Sequence, residues 1–239
     1  MTGRAAMPLT GTAHQWHSSR MAEVNEFFAA IESGDVSCVR SLLDRQPELL
    51  KTASAEGASP SLAALYAGHA HLADELAAQM GDLSVFEAAA FDDTERLGEL
   101  MQADRSVIES WSPDGWQPLH LAAFFGRAEA ARALLDADAP VAEPSRNELA
   151  VHPLHAAAAG QHSELVWILI ASDAPVQARQ RLGWTPLHSA VANGDVDSIL
   201  ALLSAGADPD CVNDEGKSPL DLAPNDAVRN LLQGSDDLG

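Results

Sequence analysis

Basic residues are scarce in this chain: 14 Lys and Arg stand against 35 Asp and Glu, a formal net charge of −21. A surface that acidic repels phosphate backbones and anionic lipid, and no basic patch interrupts it, so nucleic-acid and membrane binding are not expected and a basic protein partner is. Cysteine is nearly missing. Cys38 and Cys211 lie near opposite ends of the chain and are expected to be reduced thiols of a cytoplasmic protein. Long apolar runs are lacking too: Met1 to Arg20 has no signal-peptide core, and no stretch is long enough to span a bilayer. The usual chemical signatures are also wanting. There is no Gly-rich phosphate loop, nucleophile elbow, His-Glu-x-x-His or Cys-x-x-Cys, so neither an enzyme nor a cofactor is expected. The acidic stretch from Asp208 fails as a calcium loop, with Val212 at its fifth position and Pro219 at its twelfth. His14 with His17, and His152 with His155 and His162, have metal-like spacing but no further ligands or, in the second group, a different explanation given below. Aromatic residues make up only 5% of the chain, so their placement carries information.

What is present is repetition. Gly115-Trp116-Gln117-Pro118-Leu119-His120 returns as Gly183-Trp184-Thr185-Pro186-Leu187-His188, with echoes at Pro153-Leu154-His155 and Pro219-Leu220. Around these phrases the apolar residues recur with helical periodicity in pairs of short segments separated by a turn. Taking the turn residue as marker gives Gly34, Gly68, Asp92, Gly126, Gly160 and Gly194, spaced by 34, 24, 34, 34 and 34 residues. One helix–turn–helix unit is therefore stacked repeatedly, with the connection between the second and third units shortened by ten residues. Helices this short are unstable alone, and each buries its apolar face only against neighbouring units, which predicts a continuous apolar stripe along a solenoid. With 46% hydrophobic residues the chain can fill it.

The phrase Thr185-Pro186-Leu187-His188, followed by Ala190, Asn193-Gly194, Leu202-Leu203 and Gly206-Ala207-Asp208, resembles the ankyrin repeat, a unit of about 33 residues. Other units drift from it: Gln117 and His152 replace the threonine, Ala150 replaces a hairpin glycine, and 35 residues separate Pro118 from Pro153. The resemblance covers roughly residues 22 to 233 and is strongest in the second half. It implies an all-α fold, an ankyrin-repeat solenoid of helix-turn-helix units joined by β-hairpin-like loops. The organisation expected is a flexible leader (1–20), a domain of about seven units (21–233, the first three divergent and the last a capping unit) and an acidic tail (234–239). Pro118, Pro153, Pro186 and Pro219 suit the first turn of a helix, where a missing N–H costs nothing. In such a family the phrase's histidines are structural, so His120, His155 and His188 are assigned to stacking.

The resemblance also implies a function: binding of a protein in a concave groove lined by hairpin tips and the ends of the first helices. The positions free to vary there include Trp111, Pro113, Asp114, Trp116, Phe124 and Phe125, then Leu149, Val151 and Ala159, then Arg179, Arg181, Leu182, Trp184, Ala192 and Asn193. Five of the chain's twelve aromatics fall in these slots. The residues expected to bind the partner are Trp111, Asp114, Trp116, Phe124, Phe125, Val151, Arg181, Trp184 and Asn193. Two roles stay open for the tryptophans: an apolar patch that captures a protein segment, or braces lying across adjacent hairpins. Trp167 is separate, on a second helix that is apolar almost all round, a pattern of either a buried contact or a sticky back surface through which two copies could pair. A monomer is expected nonetheless. The leading expectation is a non-enzymatic interaction scaffold. The alternatives are an acidic inhibitor or immunity-type protein covering a basic enzyme, and a regulatory subunit of a separate enzyme.

Overall fold

Proline at a helix's first position and a left-handed residue after its last turn are the punctuation of this fold. A computed structural model describes residues 13–234, with side chains from Arg20 onward. Residues 1–12, the His14 and His17 side chains and the tail from Ser235 lie outside the described part. Within it there are fourteen α-helices in seven consecutive pairs, and no strand. They are α1 (Ala13–Ser33) and α2 (Val36–Arg45), α3 (Pro60–Tyr66) and α4 (Ala70–Met80), α5 (Val85–Phe91) and α6 (Thr94–Ala103), α7 (Pro118–Phe124) and α8 (Ala128–Asp136), α9 (Pro153–Ala159) and α10 (Ser163–Ala171), α11 (Pro186–Asn193) and α12 (Val196–Ser204), α13 (Pro219–Leu222) and α14 (Asp226–Gly234). The first helix begins eight residues before the expected domain start at Met21. Both cysteines are free thiols.

The described residues form two compact units, divided between Gly81 and Asp82. In the first, Phe27, Ile31, Val39, Leu42, Leu49 and Leu76 are buried among α1 to α4. Arg40 grips Glu75 through two charge-assisted hydrogen bonds of 2.8 and 2.7 Å, tying α2 to α4. In the second unit the first helices α5, α7, α9, α11 and α13 pack in series, and the second helices α6, α8, α10 and α12 do the same beside them. Alanines 122, 123, 156, 157, 158 and 190 lie in that series almost without exposure. Small side chains let neighbouring helix axes approach closely. Leu134, Leu165, Leu169 and Leu202 fill the space between first and second helices and are likewise buried. Each such leucine contributes roughly 1.5–3 kcal/mol by leaving water.

The turn markers hold with one shift. Gly34, Gly68, Asp92, Gly126 and Gly194 are left-handed, but in the fifth pair the left-handed residue is Gln161 (φ 59°) and Gly160 remains right-handed at φ −78°. The cause lies upstream. The extra residues before Pro153 move that whole pair along the chain, so the turn stays eight residues after the helix-starting proline, as it does after Pro118 and Pro186. The last pair is cut short: α13 has four residues, and Pro224, which follows it, carries no N–H to continue a helix.

Candidate functional site

The hairpins preceding α7, α9 and α11 carry Trp111, Asp114, Trp116, Val151, Arg181 and Trp184 of the expected surface, and the ends of α7 and α11 carry Phe124, Phe125 and Asn193. Each hairpin, like the one preceding α13, closes on itself by a backbone hydrogen bond: Ser112 N–H to Trp116 O at 2.8 Å, Ser145 to Val151 at 2.8 Å, Gln180 to Trp184 at 2.9 Å and Asn213 to Lys217 at 2.9 Å. Each also bonds the next. The N–H groups of Arg146, Arg181 and Asp214 donate to the carbonyls of Gly115, Leu149 and Leu182, all at 2.9 Å. One bond per step is too few for a sheet but enough to hold the tips in register. Gly115 is required at its place, because at φ +85° a Cβ would sit 2.8 Å from the Asn147 nitrogen of the next hairpin.

Histidines carry the link from helix to hairpin. His155 Nε2 lies 3.0 Å from the Trp184 carbonyl and His188 Nε2 lies 3.2 Å from the Lys217 carbonyl. His188 also accepts, through Nδ1, from the Thr185 backbone N–H at 3.2 Å, and its Nδ1 pairs with the Thr185 hydroxyl at 2.8 Å. A second set of links joins successive turns. Arg127 Nε donates to Ala90 O at 2.7 Å, His162 Nε2 lies 3.1 Å from Phe124 O, and Asn193 Nδ2 donates to Ala159 O at 2.9 Å. Gly126 makes room for its link, since a Cβ there would meet the His162 ring at 2.6 Å.

His120 departs from this pattern. It is fully buried, yet neither ring nitrogen has a hydrogen-bond partner in good geometry. The following hairpin is two residues longer than its counterparts, so the carbonyl that should meet the ring, that of Val151, arrives 31 residues later instead of 29. Burial pushes the His120 pKa down to about 4, the backbone of Glu143 and Val151 offsetting only part of the cost and His152 adding to it. Burial likewise takes His155 to about 4 and lowers His152 and His188. These imidazoles are therefore neutral at pH 7. Among the described residues no group of three or more His, Cys, Asp and Glu could hold a metal ion.

Four of the expected aromatics form a chain of contacts that starts at His120. Trp111 and Trp116 approach its ring at centroid distances of 6.1 and 5.8 Å, Trp116 continues to Phe124 at 6.2 Å, and Phe124 meets Phe125 edge-on at 5.0 Å. Phe124 is 41% exposed at the end of α7, while both tryptophans are half-buried. Trp184 does not join them. It rests on its own His188 at 5.8 Å, two hairpins further along, about 16–20 Å away at ordinary helix spacing. The hairpin between carries Val151 in the tryptophan's slot, and Val151 is buried in the core, with nothing to offer a partner. The five aromatics are thus one cluster of four and an outlier, because the equivalent of the missing tryptophan packs inward.

The remaining residues are engaged within the fold. Asp114 takes the hydroxyl hydrogen bond of Ser112, half-buried at its own hairpin. Arg181 is exposed and pairs with Glu148 at 3.0 Å, and Asn193 is exposed but tied to α9 as described. Sequence reasoning missed Arg146, whose guanidinium lies 4.1 Å above the Trp111 ring. No local signal marks it, since it sits in the lengthened hairpin where the repeat offers no template. It also missed the backbone of Leu182, an exposed leucine at φ +67°, and the exposed Val212 beyond it. The tripeptide Arg181-Leu182-Gly183, with leucine where the neighbouring hairpins place Asp114 and Glu215, was the available clue.

No helix among the described residues is long and apolar enough to cross a membrane. A family model of ankyrin repeats, itself three copies long, matches residues 27–145, 83–180 and 154–237. Among curated relatives, the tyrosine-protein kinase Shark of Drosophila melanogaster is 31% identical over 137 residues, 57% of this chain and 14% of that protein. The Homo sapiens protein phosphatase 1 regulatory subunit 27 is 40% identical over 81 residues, 32% of this chain and 53% of that one. Neurogenic locus notch homolog protein 2 of Homo sapiens is 32% identical over 178 residues, 74% of this chain and 7% of that protein. The matched segment spans about half of the regulatory subunit and a small fraction of the other two. Matches along nearly the whole chain, on top of the serial helix pairs and their carbonyl-bound histidines, establish that this chain belongs to the ankyrin-repeat family.

Proposed function

We propose that this ankyrin-repeat chain is a non-enzymatic scaffold that binds a basic protein through the hairpins and first-helix ends of its second unit. The observation that carries the reading is the cluster of Trp111, Trp116, Phe124 and Phe125, whose two tryptophans rest on a buried, neutral histidine. Aromatic residues held rigid at a surface dominate interface hot spots, with truncations costing about 2 kcal/mol or more. Trp116 and Trp111 are half-buried, and Phe124, the most exposed of the four, is the one most open to a partner. Trp184, Arg181 and Asn193 extend the surface as a second, polar-flanked contact. The net charge of −21 favours a basic partner and a monomeric chain, and it speeds encounter in a manner that salt weakens. Two free thiols fit a cytoplasmic setting.

A second reading, regulation of a separate enzyme, is favoured by the likeness over 81 residues to a protein whose name makes it a phosphatase regulatory subunit. It would use the same surface. The test is affinity capture from native extract with the unaltered chain, Phe124→Ser and Trp116→Ala, each accompanied by a melting curve. A partner lost with Phe124→Ser at unchanged melting temperature supports the surface, and an enzyme as that partner supports the regulatory reading. Unchanged capture by both variants would sink the proposal, as would partners whose association is indifferent to ionic strength.

A further inference from the structure

A different face carries apolar side chains that the fold does not need. The helices α8, α10 and α12 share one register: their second residues are Glu129, Glu164 and Asp197, and their fifth residues are Arg132, Trp167 and Leu200. Residues three apart on a helix lie on one face, so a row of acids runs beside the row Arg132–Trp167–Leu200. Trp167 is 49% exposed, Leu200 42% and Val196, which opens α12, 46%. The leucines that serve the core from these same helices, Leu165, Leu169 and Leu202, are by contrast buried. Since α10 packs on α12, with helix axes ordinarily about 8–10 Å apart, Trp167 and Leu200 stand at equivalent positions on adjoining helices.

Four acids on α8, α10 and α12, Glu129, Asp136, Glu164 and Asp197, stand against one cation on the same helices, Arg132, which is already shared by Glu129 and Glu164 at 2.6 Å each. Asp197 has no ion pair among the described residues, and Asp136 and Asp173 are exposed at the ends of α8 and α10. We propose that this face is a second docking surface, for a cationic amphipathic helix of a partner protein. Its apolar side would cover Trp167, Val196 and Leu200, and its Lys or Arg residues would reach Asp197 and Glu164. The charge selects this occupant over two others. A second copy would press the same acids against another body of net charge −21, and an anionic bilayer would be repelled.

The surface uses none of the residues of the hairpin face, so the two proposals fail separately. A labelled, helical Leu/Lys peptide of about 18 residues, titrated by fluorescence anisotropy onto the full chain, is the probe. Binding is expected to weaken at least about tenfold in Trp167→Ser/Leu200→Ser and severalfold in Asp197→Lys, to stay unchanged in Trp116→Ala, and to weaken between about 50 and 300 mM salt. A peptide of the same composition, reordered to have no apolar face, is expected to bind at least about tenfold less tightly. Oxidative footprinting of the unaltered chain gives a readout independent of whether the variants fold: bound peptide should protect Trp167 and leave Trp116 reactive. Equal affinity in the double variant with intact melting, or protection of Trp116 in place of Trp167, overturns the inference. So does a dimer that Trp167→Ser disperses, or binding to phosphatidylglycerol vesicles that the same variant abolishes.

Discussion

Acid should unfold the second unit through two histidines, and the loss can be assigned to one of them. His120 and His155 have folded pKa values of about 4, against an ordinary value of 6.5 that the unfolded chain would recover. Because the folded state binds these protons more weakly, their neutral burial is without cost above pH 6.5. Stability is then lost progressively as pH falls from 6.5 to about 4, where the folded rings begin to protonate. At pH 5 the linkage amounts to about 2 kcal/mol per histidine, rising to a ceiling of about 3.4 kcal/mol below pH 4. Falling pH also neutralises carboxylates in a chain of net charge −21, which relieves self-repulsion and opposes the effect. A comparison with a variant cancels that background. His120→Leu removes a titrating ring that makes no well-formed hydrogen bond and replaces it with an apolar side chain of similar volume. At pH 7.5 it should cost nothing or stabilise slightly, since a buried unpaired polar group is removed. At pH 5 it should be more stable than the unaltered chain by about 2 kcal/mol. Urea unfolding followed by tryptophan fluorescence suits the measurement, because Trp111, Trp116, Trp167 and Trp184 all belong to the second unit. Parallel pH profiles for the two chains between pH 7.5 and 4.5 would refute the argument, and so would a large loss of stability at pH 7.5.

Two backbone positions give further tests. Gly126→Ala places a Cβ 2.6 Å from the His162 ring at a φ of +73°, displacing the ring from the Phe124 carbonyl. A loss of about 2 kcal/mol or more in chemical unfolding is expected, and an unchanged midpoint would contradict it. Leu182→Gly should do the opposite and stabilise by up to about 1 kcal/mol, because leucine at φ +67° is strained and its exposed side chain adds no core contact. A destabilised Leu182→Gly chain would mean that the side chain is packed rather than free.

The periodic features were readable from the residues alone because they are set locally. A proline lacking an N–H suits the first turn of a helix, and Pro118, Pro153, Pro186 and Pro219 each open one. The serial helix pairs and the short interval before Asp92 follow from the same local signals, while the fifth turn falls one residue later than a constant 34-residue spacing puts it. The candidate surface was readable only in outline. The slots that hold Trp116, Phe124 and Trp184 were legible, but Val151 in the same slot as the tryptophans turned inward, and Asn193 and Arg181 proved to be ties between units.

Sequence by itself determined the family, the helix pairs and the acidity, because helix starts, turns and charge depend on residues close in the chain or on simple sums. Tertiary structure decided which aromatics meet, which histidine lacks a partner and where an apolar face stays open. Each depends on contacts between residues some 30 positions apart: the hairpin after His120 is two residues longer than those after His155 and His188, and His120 lacks the well-formed carbonyl bond that those two make. The turn at Gln161 keeps its distance from Pro153 regardless, since that distance is fixed within one helix.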